Sequence, residues 1–413
     1  MNVLLIGAGG REHALAWKIT QSRQLGKLLT VPGNTGTARH GTNVPFPLND
    51  VDALVDLAQR EAIDLVVVGP DNPLADGIVD HFNAAGIRAF GPTAAAARIE
   101  SSKSFAKEIM AEAGVPTAAA HIFDDPAAAR AFAQQSGQAW VVKADGLALG
   151  KGVVVAETVE ETLQAIEQMS SLAGGKRLLL EERLTGKEIS LLAFCDGKRL
   201  LALPTARDYK RLLDGDRGPN TGGMGVFAPV DAVGPELADQ IVRTCMQPVV
   251  DGLAQRGTPF QGILYAGMIL TAQGPKILEF NARFGDPEAQ ALLPLIDGDI
   301  LAIMQACADG KLQPELFKRR KGYAVCVVLS AEGYPAKLRR GDAIHGIEAL
   351  DMNNVIVFHA GTSMSSTGLT TSGGRVLNVT GLGPTLKQAR ERAYDAIKQI
   401  AFEGRHFRKD IGA

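Results

Sequence analysis

The 413-residue sequence contains few cysteines, and the few it has are widely spaced. The four are Cys195, Cys245, Cys307 and Cys326. They show neither Cys-x-x-Cys spacing nor a Cys/His pattern typical of metal ligands, so the sequence predicts no disulfide framework and no zinc site. Such cysteine usage is typical of a reducing compartment, and we therefore expect a cytoplasmic protein.

Long apolar runs and an excess of charge of one sign are also missing. The sequence has no run of about 18 apolar residues, so we expect no transmembrane helix and no membrane partner. The first residues, Met1–Gly7, lack the basic region of a signal peptide and predict a strand instead. With 43 Lys and Arg against 45 Asp and Glu, the net charge of −2 argues against a nucleic-acid surface built on bulk positive charge.

Glycine, by contrast, is abundant. It accounts for 46 of the 413 residues, or about 11%, against a typical value of about 7%. The glycines gather in short clusters beside apolar runs, where a backbone without side chains can approach a ligand closely. The 46% hydrophobic and 21% charged residues are ordinary for a soluble globular protein. The length predicts two to three domains.

The pattern of elements predicts an α/β protein. Between residues 1 and 101, apolar strands alternate with helices, and the strands end in Gly, Pro or Asn clusters. This alternation predicts a parallel sheet covered on both faces, with ligands bound beyond the carboxyl ends of its strands. The pattern shifts near residues 101 and 325. The middle part includes a predicted long helix, Glu236–Gln255, and the last part is rich in strands.

The first glycine cluster, Gly7–Gly10, follows the first strand. A dinucleotide fingerprint needs a third glycine where this sequence has Glu12, and an acidic residue after the second strand, where it has Pro32–Asn34. NAD binding is therefore disfavoured. The loop can still hold one phosphate at the start of the following helix, and a tight turn without a ligand is the alternative.

The second cluster lies between Lys143 and Val153. A Walker A loop fails here, because Asp145 stands where its first glycine belongs and Gly152 follows the lysine. A glycine-rich loop between two strands, with Lys143 on the first strand, can cover a triphosphate. A plain hairpin is the alternative.

The segment Glu279–Glu288 predicts a metal and anion site. Period-two geometry places Glu279, Asn281 and Arg283 on one face of a strand, with Leu278 and Phe280 directed into the core. A carboxylate and an amide oxygen suit Mg²⁺, and an arginine suits a carboxylate or phosphate. An exposed polar strand face is the alternative.

Two further segments complete the set. Glu181 and Glu182 end a strand before a turn, and a solvated hairpin is the alternative interpretation there. Gly218–Gly225 has four glycines within a loop predicted over Gly215–Gly225, so it can approach a substrate closely; a flexible surface loop is the alternative.

In this order the motifs resemble those of the ATP-grasp superfamily and, within it, the glycinamide ribonucleotide synthetase family. The resemblance covers the whole chain and is carried by GAGGREHA, VGPD, FGP, KADGLALGKGV, GPNTGGMG, EFNARFGDPE, GGRVL and RKDIG. It implies an ATP-grasp fold with an N-terminal parallel-sheet α/β domain (1–101), an ATP-grasp domain (102–325, with a lid at about 120–190) and a small C-terminal α+β domain (326–413).

The resemblance also implies an activity: ligation of glycine to 5-phosphoribosylamine with ATP and Mg²⁺ or Mn²⁺, through a glycyl phosphate, in de novo purine biosynthesis. Another ATP-grasp ligase or carboxylase is the first alternative, and a non-catalytic nucleotide-binding protein is the second. The sequence carries no signal for oligomerisation, and we expect a monomer.

Site residues follow from the same resemblance. Arg283 would meet the glycine carboxylate or acyl phosphate, Asp208 would lie near the phosphoribosylamine amine, and Glu279 and Asn281 would bind the metal. ATP would be contacted by Lys103, Lys143, Gly150, Lys151, Gly152, Glu181, Leu184 and Glu188. Substrate would be contacted by Gly9, Gly10, Arg11, Glu12, His13, Asn220, Thr221, Gly222, Gly223, Met224, Gly285, Asp286 and Pro287.

Two departures from the family pattern bear on these roles. The family usually shows Ser-Gln-Asp-His-Lys-Arg where this sequence has Ala206–Arg211, so Asp208, Lys210 and Arg211 persist while three neighbours differ. The strand Tyr265–Met268 lacks the extra carboxylate that many ATP-grasp enzymes use for metal, so Glu279 would carry more of the charge.

Overall fold

The computed structural model describes residues 1–147, 152–172, 176–366 and 368–413. Within these ranges no helix combines the length and apolar character needed to cross a membrane. Each of the three expected domains, residues 1–101, 102–325 and 326–413, contributes strands to at least one β-sheet. The expected positions Gly150 and Lys151 lie outside the described residues.

The first part is the predicted parallel sheet. Its five strands lie in the order Thr42–Asn43, Lys27–Pro32, Asn2–Gly7, Leu65–Val68 and Arg88–Phe90. The central strands are buried along almost their whole length because helices cover both faces. These helices are Gly10–Ile19, Val51–Arg60, Asp71–Ala75, Ile78–Ala84 and Ala94–Ser101, with a 3₁₀ turn at Thr37–Arg39.

A small antiparallel sheet with its own core lies between residues 120 and 181. Its strands are ordered Ala120–Phe123, Leu178–Glu181, Val141–Ala144 and Val153–Val155. The helices Pro126–Ser136 and Val159–Ser170 cover it, and the core between them includes Trp140 and Met169. Both helices begin at side-chain caps, from Asp125 and Thr158, that accept hydrogen bonds from backbone amides.

The central sheet has the strand order Leu200–Ala202, Lys187–Asp196, Gln261–Thr271 and Gly274–Asn281. In its long antiparallel pairs, Glu188 faces Ile269 and Asn281 faces Tyr265, so Asn281 lies level with Leu192. The surrounding elements are the helices Lys103–Glu112, Pro235–Ile241, Gln247–Gln255, Glu288–Leu292 and Ile300–Ala308, the 3₁₀ turns Leu293–Leu295 and Pro314–Leu316, and the short strands Ile296–Asp297 and Lys318–Arg319.

The predicted continuous helix over Glu236–Gln255 is wrong in one respect. A π-helical turn, Val242–Met246, separates its two α-helical halves. The Gln247 amide donates to the carbonyl of Val242, five residues back. Pro248 follows at once, and its ring removes a donor and clashes with the preceding turn, which explains the widened turn.

A third sheet joins strands from both sides of residue 325. Its order is Arg207–Asp208, Gly225–Ala228, Tyr323–Ser330, Arg375–Gly383 and Val355–His359, all antiparallel. The helix Leu386–Gln399 packs on it, and smaller elements are the 3₁₀ turn Ile347–Ala349 and the hairpin Thr362–Ser365 with Gly368–Thr371.

The loop predicted over Gly215–Gly225 is also corrected. The structure forms a two-stranded hairpin there, Arg211–Leu213 with Arg217–Asn220, hereafter the 211–220 hairpin. Glycines hid the pattern: Gly215, at the turn, adopts a φ of +68°, as a tight turn requires, and Gly218, in the second strand, adopts +80°.

Candidate active site

A buried ion cluster lies under the small antiparallel sheet. Lys143 Nζ is 2.9 Å from Glu181 Oε2, and Lys107 Nζ is 3.4 Å from the same oxygen. All three side chains are less than 10% exposed. Burial lowers the pKa of Lys107 to about 8, although the carboxylate of Glu181 opposes the shift. The buried carboxylate of Glu181 thus holds the ammonium groups of both lysines. It links its own sheet, which also carries Lys143, to the helix Lys103–Glu112, which carries Lys107.

Lys103 approaches this cluster from the first turn of the helix Lys103–Glu112. Its Nζ donates to the carbonyl of Gly146 at 2.8 Å, at the start of the second glycine-rich segment. Burial lowers the pKa of Lys103, while the charge of Glu279 opposes that effect. Asp145 accepts from the backbone amide of Ser104 at 3.2 Å and so ties the segment to the helix start. Gly152 is buried, and its carbonyl accepts from the amide of Ala144.

The strand that carries Glu279 contains a bulge. Gly267 faces Glu279 while Met268 faces Ile277, so Leu278 is the extra residue. The prediction that Leu278 points into the core is therefore wrong, because Ile277 is fully buried instead and Leu278 is half-buried. The bulge leaves the carbonyl of Leu278 free of the ladder, and Lys143 Nζ donates to it at 3.1 Å.

Positive charges surround Glu279. Lys210 Nζ lies 3.6 Å from Glu279 Oε1 and 4.0 Å from Glu188 Oε2. Burial alone would raise the pKa of Glu279, but the charges of Lys210, Lys143 and Lys103 lower it overall. The carboxylate is therefore ionised at neutral pH, as a metal ligand must be.

Glu279 and Asn281 fit a divalent cation that is shared with a ligand. Among the described residues, no group of three or more His, Cys, Asp or Glu side chains could hold a metal. One carboxylate and one amide oxygen leave most positions around Mg²⁺ to water and phosphate oxygens, which is how this ion is often bound. The nearby lysines suit the same phosphate. The residues present therefore fit a metal brought together with a nucleotide.

Arg283 is held by acidic groups from the first part of the chain. Its Nη2 is 2.7 Å from Glu100 Oε1 and 4.0 Å from Asp71 Oδ2, and it donates to Asn281 Oδ1 at 3.3 Å. The other oxygen of Glu100 accepts from the amide of Ala282 at 2.8 Å. Arg283 Nε is buried and has no protein partner among the described residues, so this guanidinium retains a free donor.

Glu288 is a further acidic residue of the site, at the start of the helix Glu288–Leu292. Glu288 Oε1 accepts from the hydroxyl of Tyr265 at 2.7 Å. The hydroxyl oxygen of Tyr265 is in turn 2.8 Å from Ser190 Oγ. Burial and the charge of Asp208 raise the pKa of Glu288 to about 7. Asp208 also raises the pKa of Lys210. The site thus combines carboxylates of different acidity within one group of contacts.

The first glycine cluster meets the Gly285–Pro287 segment. The amide of Gly9 donates to the carboxylate of Glu12, whose other oxygen is 2.6 Å from Arg11 Nε. Arg11 Nη1 donates to the carbonyl of Phe284, and the Arg11 amide lies 3.4 Å from Asp286 Oδ2. Glu12 therefore occupies the space of a third glycine with a side chain that closes the loop. Gly10 starts the helix beside this contact.

His13 serves a contact between distant parts of the chain. Its Nδ1 accepts from the amide of His359 at 2.7 Å, so this nitrogen carries no proton. Burial lowers the pKa of His13 well below the usual value. His13 is thus neutral, and its ring lies within the fold rather than in an open site.

The 220–224 segment is clamped to Asp286 and Pro287 by Arg375. The guanidinium Nη1 donates to the carbonyls of Gly222 and Asp286, both at 2.6 Å. Thr221 Oγ1 donates to the carbonyl of Lys210 and accepts from the amide of Gly223. Gly223 packs against the ring of Pro287 so closely that a Cβ there would clash with it.

The remaining expected residues differ in how far they are exposed to solvent. Asn220 is exposed, Met224 is fully buried with its amide donating to the carbonyl of Tyr209, and Leu184 is half-buried after the strand Leu178–Glu181. Glu188 is exposed at the start of its strand. Of these, Glu188 approaches the cluster, since its Oε2 is 4.0 Å from Lys210 Nζ.

Sequence reasoning gave no role to several residues that the structure brings into the site, among them Lys107, Glu100, Glu288 and Arg375. Lys107 had a signal, since it lies four residues after Lys103 and so shares its helix face. Glu288 and Arg375 stood inside quoted motifs. Glu100 had none, because its partner Arg283 is 183 positions away in the chain.

The fold and this arrangement of lysines, acidic residues and glycine-rich segments define the chain as an ATP-grasp protein. Family models agree along its length: the phosphoribosylglycinamide synthetase N domain matches residues 1–100, the ATP-grasp (A) domain matches 101–289 and the C domain matches 324–413. The chain belongs to the phosphoribosylglycinamide synthetase family.

Individual relatives agree. The phosphoribosylamine–glycine ligase of Brucella melitensis is 45% identical over all of this chain and 97% of its own length. The human trifunctional purine biosynthetic protein adenosine-3 is 46% identical over 99% of this chain, which spans 41% of that protein. The crystal structure of phosphoribosylamine–glycine ligase from Thermotoga maritima superposes with a TM-score of 0.86 at 34% identity, covering all of both chains.

Proposed function

We propose that this protein joins glycine to 5-phosphoribosylamine, with ATP converted to ADP and phosphate, in the synthesis of purines. The observation that carries the proposal is the convergence on Glu279 of charges from Lys103, Lys143 and Lys210, with Arg283 beside it. This arrangement serves a phosphate-bearing nucleotide, a metal and a carboxylate at once. The names of the relatives supply the particular substrates.

ATP would lie between the small antiparallel sheet and the central sheet. We assign its phosphates to Lys103 and Lys143, its adenine to Glu181 and Leu184, and its ribose to Glu188. Gly150, Lys151 and Gly152 belong to the glycine-rich segment that would cover the phosphates. The backbone of such a segment can donate several amides to phosphate oxygens.

Glu279 and Asn281 would hold Mg²⁺ or Mn²⁺ together with phosphate oxygens. The cation would neutralise charge on the transferred phosphoryl group. The chain's own contribution is to keep Glu279 ionised and directed by Lys210, and to hold Lys143 on the carbonyl of Leu278.

The reaction has two steps. A glycine carboxylate oxygen attacks the terminal phosphorus of ATP, and the bond to ADP breaks, which gives glycyl phosphate. The amine of phosphoribosylamine then attacks the acyl carbon, phosphate leaves and the amine loses a proton. Arg283, with its free Nε donor, would hold the carboxylate in the first step. Asp208 would lie near the amine in the second, and positioning supplies most of the rate.

Phosphoribosylamine would be received where three segments meet. These segments are Gly9–His13, Asn220–Met224 and Gly285–Pro287, and their contacts through Arg11, Asp286 and Arg375 support the assignment. The start of the helix Gly10–Ile19 suits a phosphate.

We propose three domains with boundaries near residues 101 and 325, a lid at about 120–190, and a cytoplasmic monomer. The ranges of the family models and the separate core of the small antiparallel sheet support the division. Four buried free cysteines support a reducing compartment.

A coupled assay of ADP release tests the function. With ATP and Mg²⁺ present, glycine and phosphoribosylamine together should stimulate turnover, and omission of either should abolish product. Bicarbonate and other amino acids serve as control substrates. Turnover that is not stimulated by the pair, or that is supported equally by bicarbonate, would disprove the proposal.

A further inference from the structure

The 211–220 hairpin is gripped by a segment nearly two hundred residues later in the chain. This segment, residues 406–412, contains the RKDIG motif, to which the proposed function gives no role. His406 Nε2 lies 2.9 Å from the carbonyl of Leu212, and the Lys409 amide donates to Asp214 Oδ1 at 2.8 Å. The amide of Gly215 donates to Asp410 Oδ2 at 2.9 Å. The first strand and the turn of the hairpin are therefore tied to this segment.

Arg408 is the centre of this contact. Its side chain is completely buried, and it pairs with Asp216 at 2.7 Å and Asp410 at 2.6 Å. Its Nη1 also donates to the carbonyl of Arg211 at 3.1 Å. A buried guanidinium is costly unless it is fully paired. Asp410 supplies one carboxylate from the same segment, and the hairpin supplies the carboxylate of Asp216 and the carbonyl of Arg211. Arg408 therefore joins the hairpin to the segment 406–412.

Tyr209 shows what one of the family departures does. Its ring is buried, the guanidinium carbon of Arg408 lies 4.8 Å from the ring centroid, and its hydroxyl accepts from the amide of Gly412 at 3.2 Å. Tyr209 and Lys210 connect the strand Arg207–Asp208 to the hairpin. Lys210, next in the chain to Tyr209, lies with its Nζ 3.6 Å from Glu279 Oε1.

We propose that residues 406–412 are a positioning clamp for the substrate-binding hairpin, with Arg408 as its main positioning residue. The clamp holds the first strand and the turn of the hairpin, and through them its open end, where Arg211 faces Asn220 and the carbonyl of Lys210 accepts from the hydroxyl of Thr221. It thereby sets the site for phosphoribosylamine, whereas Lys103 and Lys143, assigned to the ATP phosphates, are held by Gly146, Glu181 and Leu278 instead. The identity of this substrate rests on the proposed function; the clamp itself does not.

The first experiment compares Arg408→Met and Arg408→Lys with the unchanged protein. Hydrogen exchange should become about tenfold faster at amides of the 211–220 hairpin in Arg408→Met, with little change in the central sheet. The KM for phosphoribosylamine should rise about tenfold while the KM for ATP stays within about twofold. Arg408→Lys should recover part of both effects, because it keeps the charge without the paired geometry.

Milder variants guard against loss of folding. Asp216→Asn and Tyr209→Phe each remove one contact and leave Arg408 paired with Asp410, so they should shift exchange and the KM for phosphoribosylamine in the same direction, by about threefold. Arg339→Met is the matched control, since Arg339 also lies between two carboxylates, Glu332 and Asp342, away from the hairpin.

The outcomes separate the two ideas. Unchanged hairpin exchange in every variant overturns the clamp, whatever the substrate. If hydrogen exchange in the hairpin becomes faster but the KM values for phosphoribosylamine and ATP rise equally, the positioning role is overturned and Arg408 has only a structural role. If the unchanged protein does not use phosphoribosylamine while hairpin exchange still responds, the proposed function fails and the clamp stands.

Discussion

Arg283 and Glu100 form a buried ion pair, with 2.7 Å between Nη2 and Oε1. The pair joins the residue expected to meet the glycine carboxylate to the end of the helix Ala94–Ser101, at the junction between the first and second parts of the chain. The same carboxylate accepts from the amide of Ala282. The position of Arg283 therefore depends on a residue outside the strand that carries the metal ligands.

Glu100→Gln should impair the use of glycine. The amide keeps the shape of the side chain but no longer balances the charge of Arg283, and a misplaced guanidinium should raise the KM for glycine about tenfold or more. Steady-state kinetics with glycine varied would measure this. Glu108→Gln is the control, because Glu108 pairs with Arg256 at the surface. An unchanged KM and kcat for glycine would contradict the role of Glu100.

Glu279→Ala should nearly abolish turnover. It removes the carboxylate expected to hold the metal and leaves Lys210 without its 3.6 Å partner, and we expect a loss of about a thousandfold or more in kcat. Rates measured over a range of Mg²⁺ concentrations would show the loss. Glu315→Ala, at an exposed position, should behave as the unchanged protein. Near-normal rates at limiting Mg²⁺ would refute the assignment.

Lys143→Ala and Lys107→Met should have different consequences, although both lysines contact Glu181. Loss of Lys143 should raise the KM for ATP about tenfold, because this lysine is expected to contact the phosphates. Loss of Lys107 should lower the free energy of unfolding by about 1–3 kcal/mol, because Glu181 loses a buried partner, with a smaller change in the KM for ATP. Kinetics and thermal unfolding of both variants would test this. Equal effects of the two on ATP would contradict it.

Glu288 should make stability depend on pH. Burial and the charge of Asp208 raise its pKa from the ordinary 4.5 to about 7 in the folded protein, so the folded state binds more protons between these values. The free energy of unfolding should therefore fall as pH rises from about 4.5 to 7, by about 1–3 kcal/mol from this group. Glu288→Gln should flatten the profile across that window in urea unfolding. A profile that keeps its slope would show that another group causes it.

The sequence predicted the regular parts of the fold well. The parallel sheet predicted for residues 1–101 is present, and its strands Leu65–Val68 and Arg88–Phe90 each end before a Gly-Pro pair, because an apolar run bounded by Gly and Pro has few other ways to be buried. Predictions failed where one residue changed the period. Pro248 widened a helical turn, and the bulge at Leu278 shifted the strand face by one position.

The sequence by itself determined the family, the order of the motifs and the chemistry of Glu279, Asn281 and Arg283, because residue type and local spacing carry that information. The tertiary structure alone decided the partners: Glu100 for Arg283, Lys107 for Glu181, and Arg408 for the 211–220 hairpin. Each joins segments far apart in the chain. Local periodicity cannot specify such pairs, since they form only when packing brings buried charges within reach of one another.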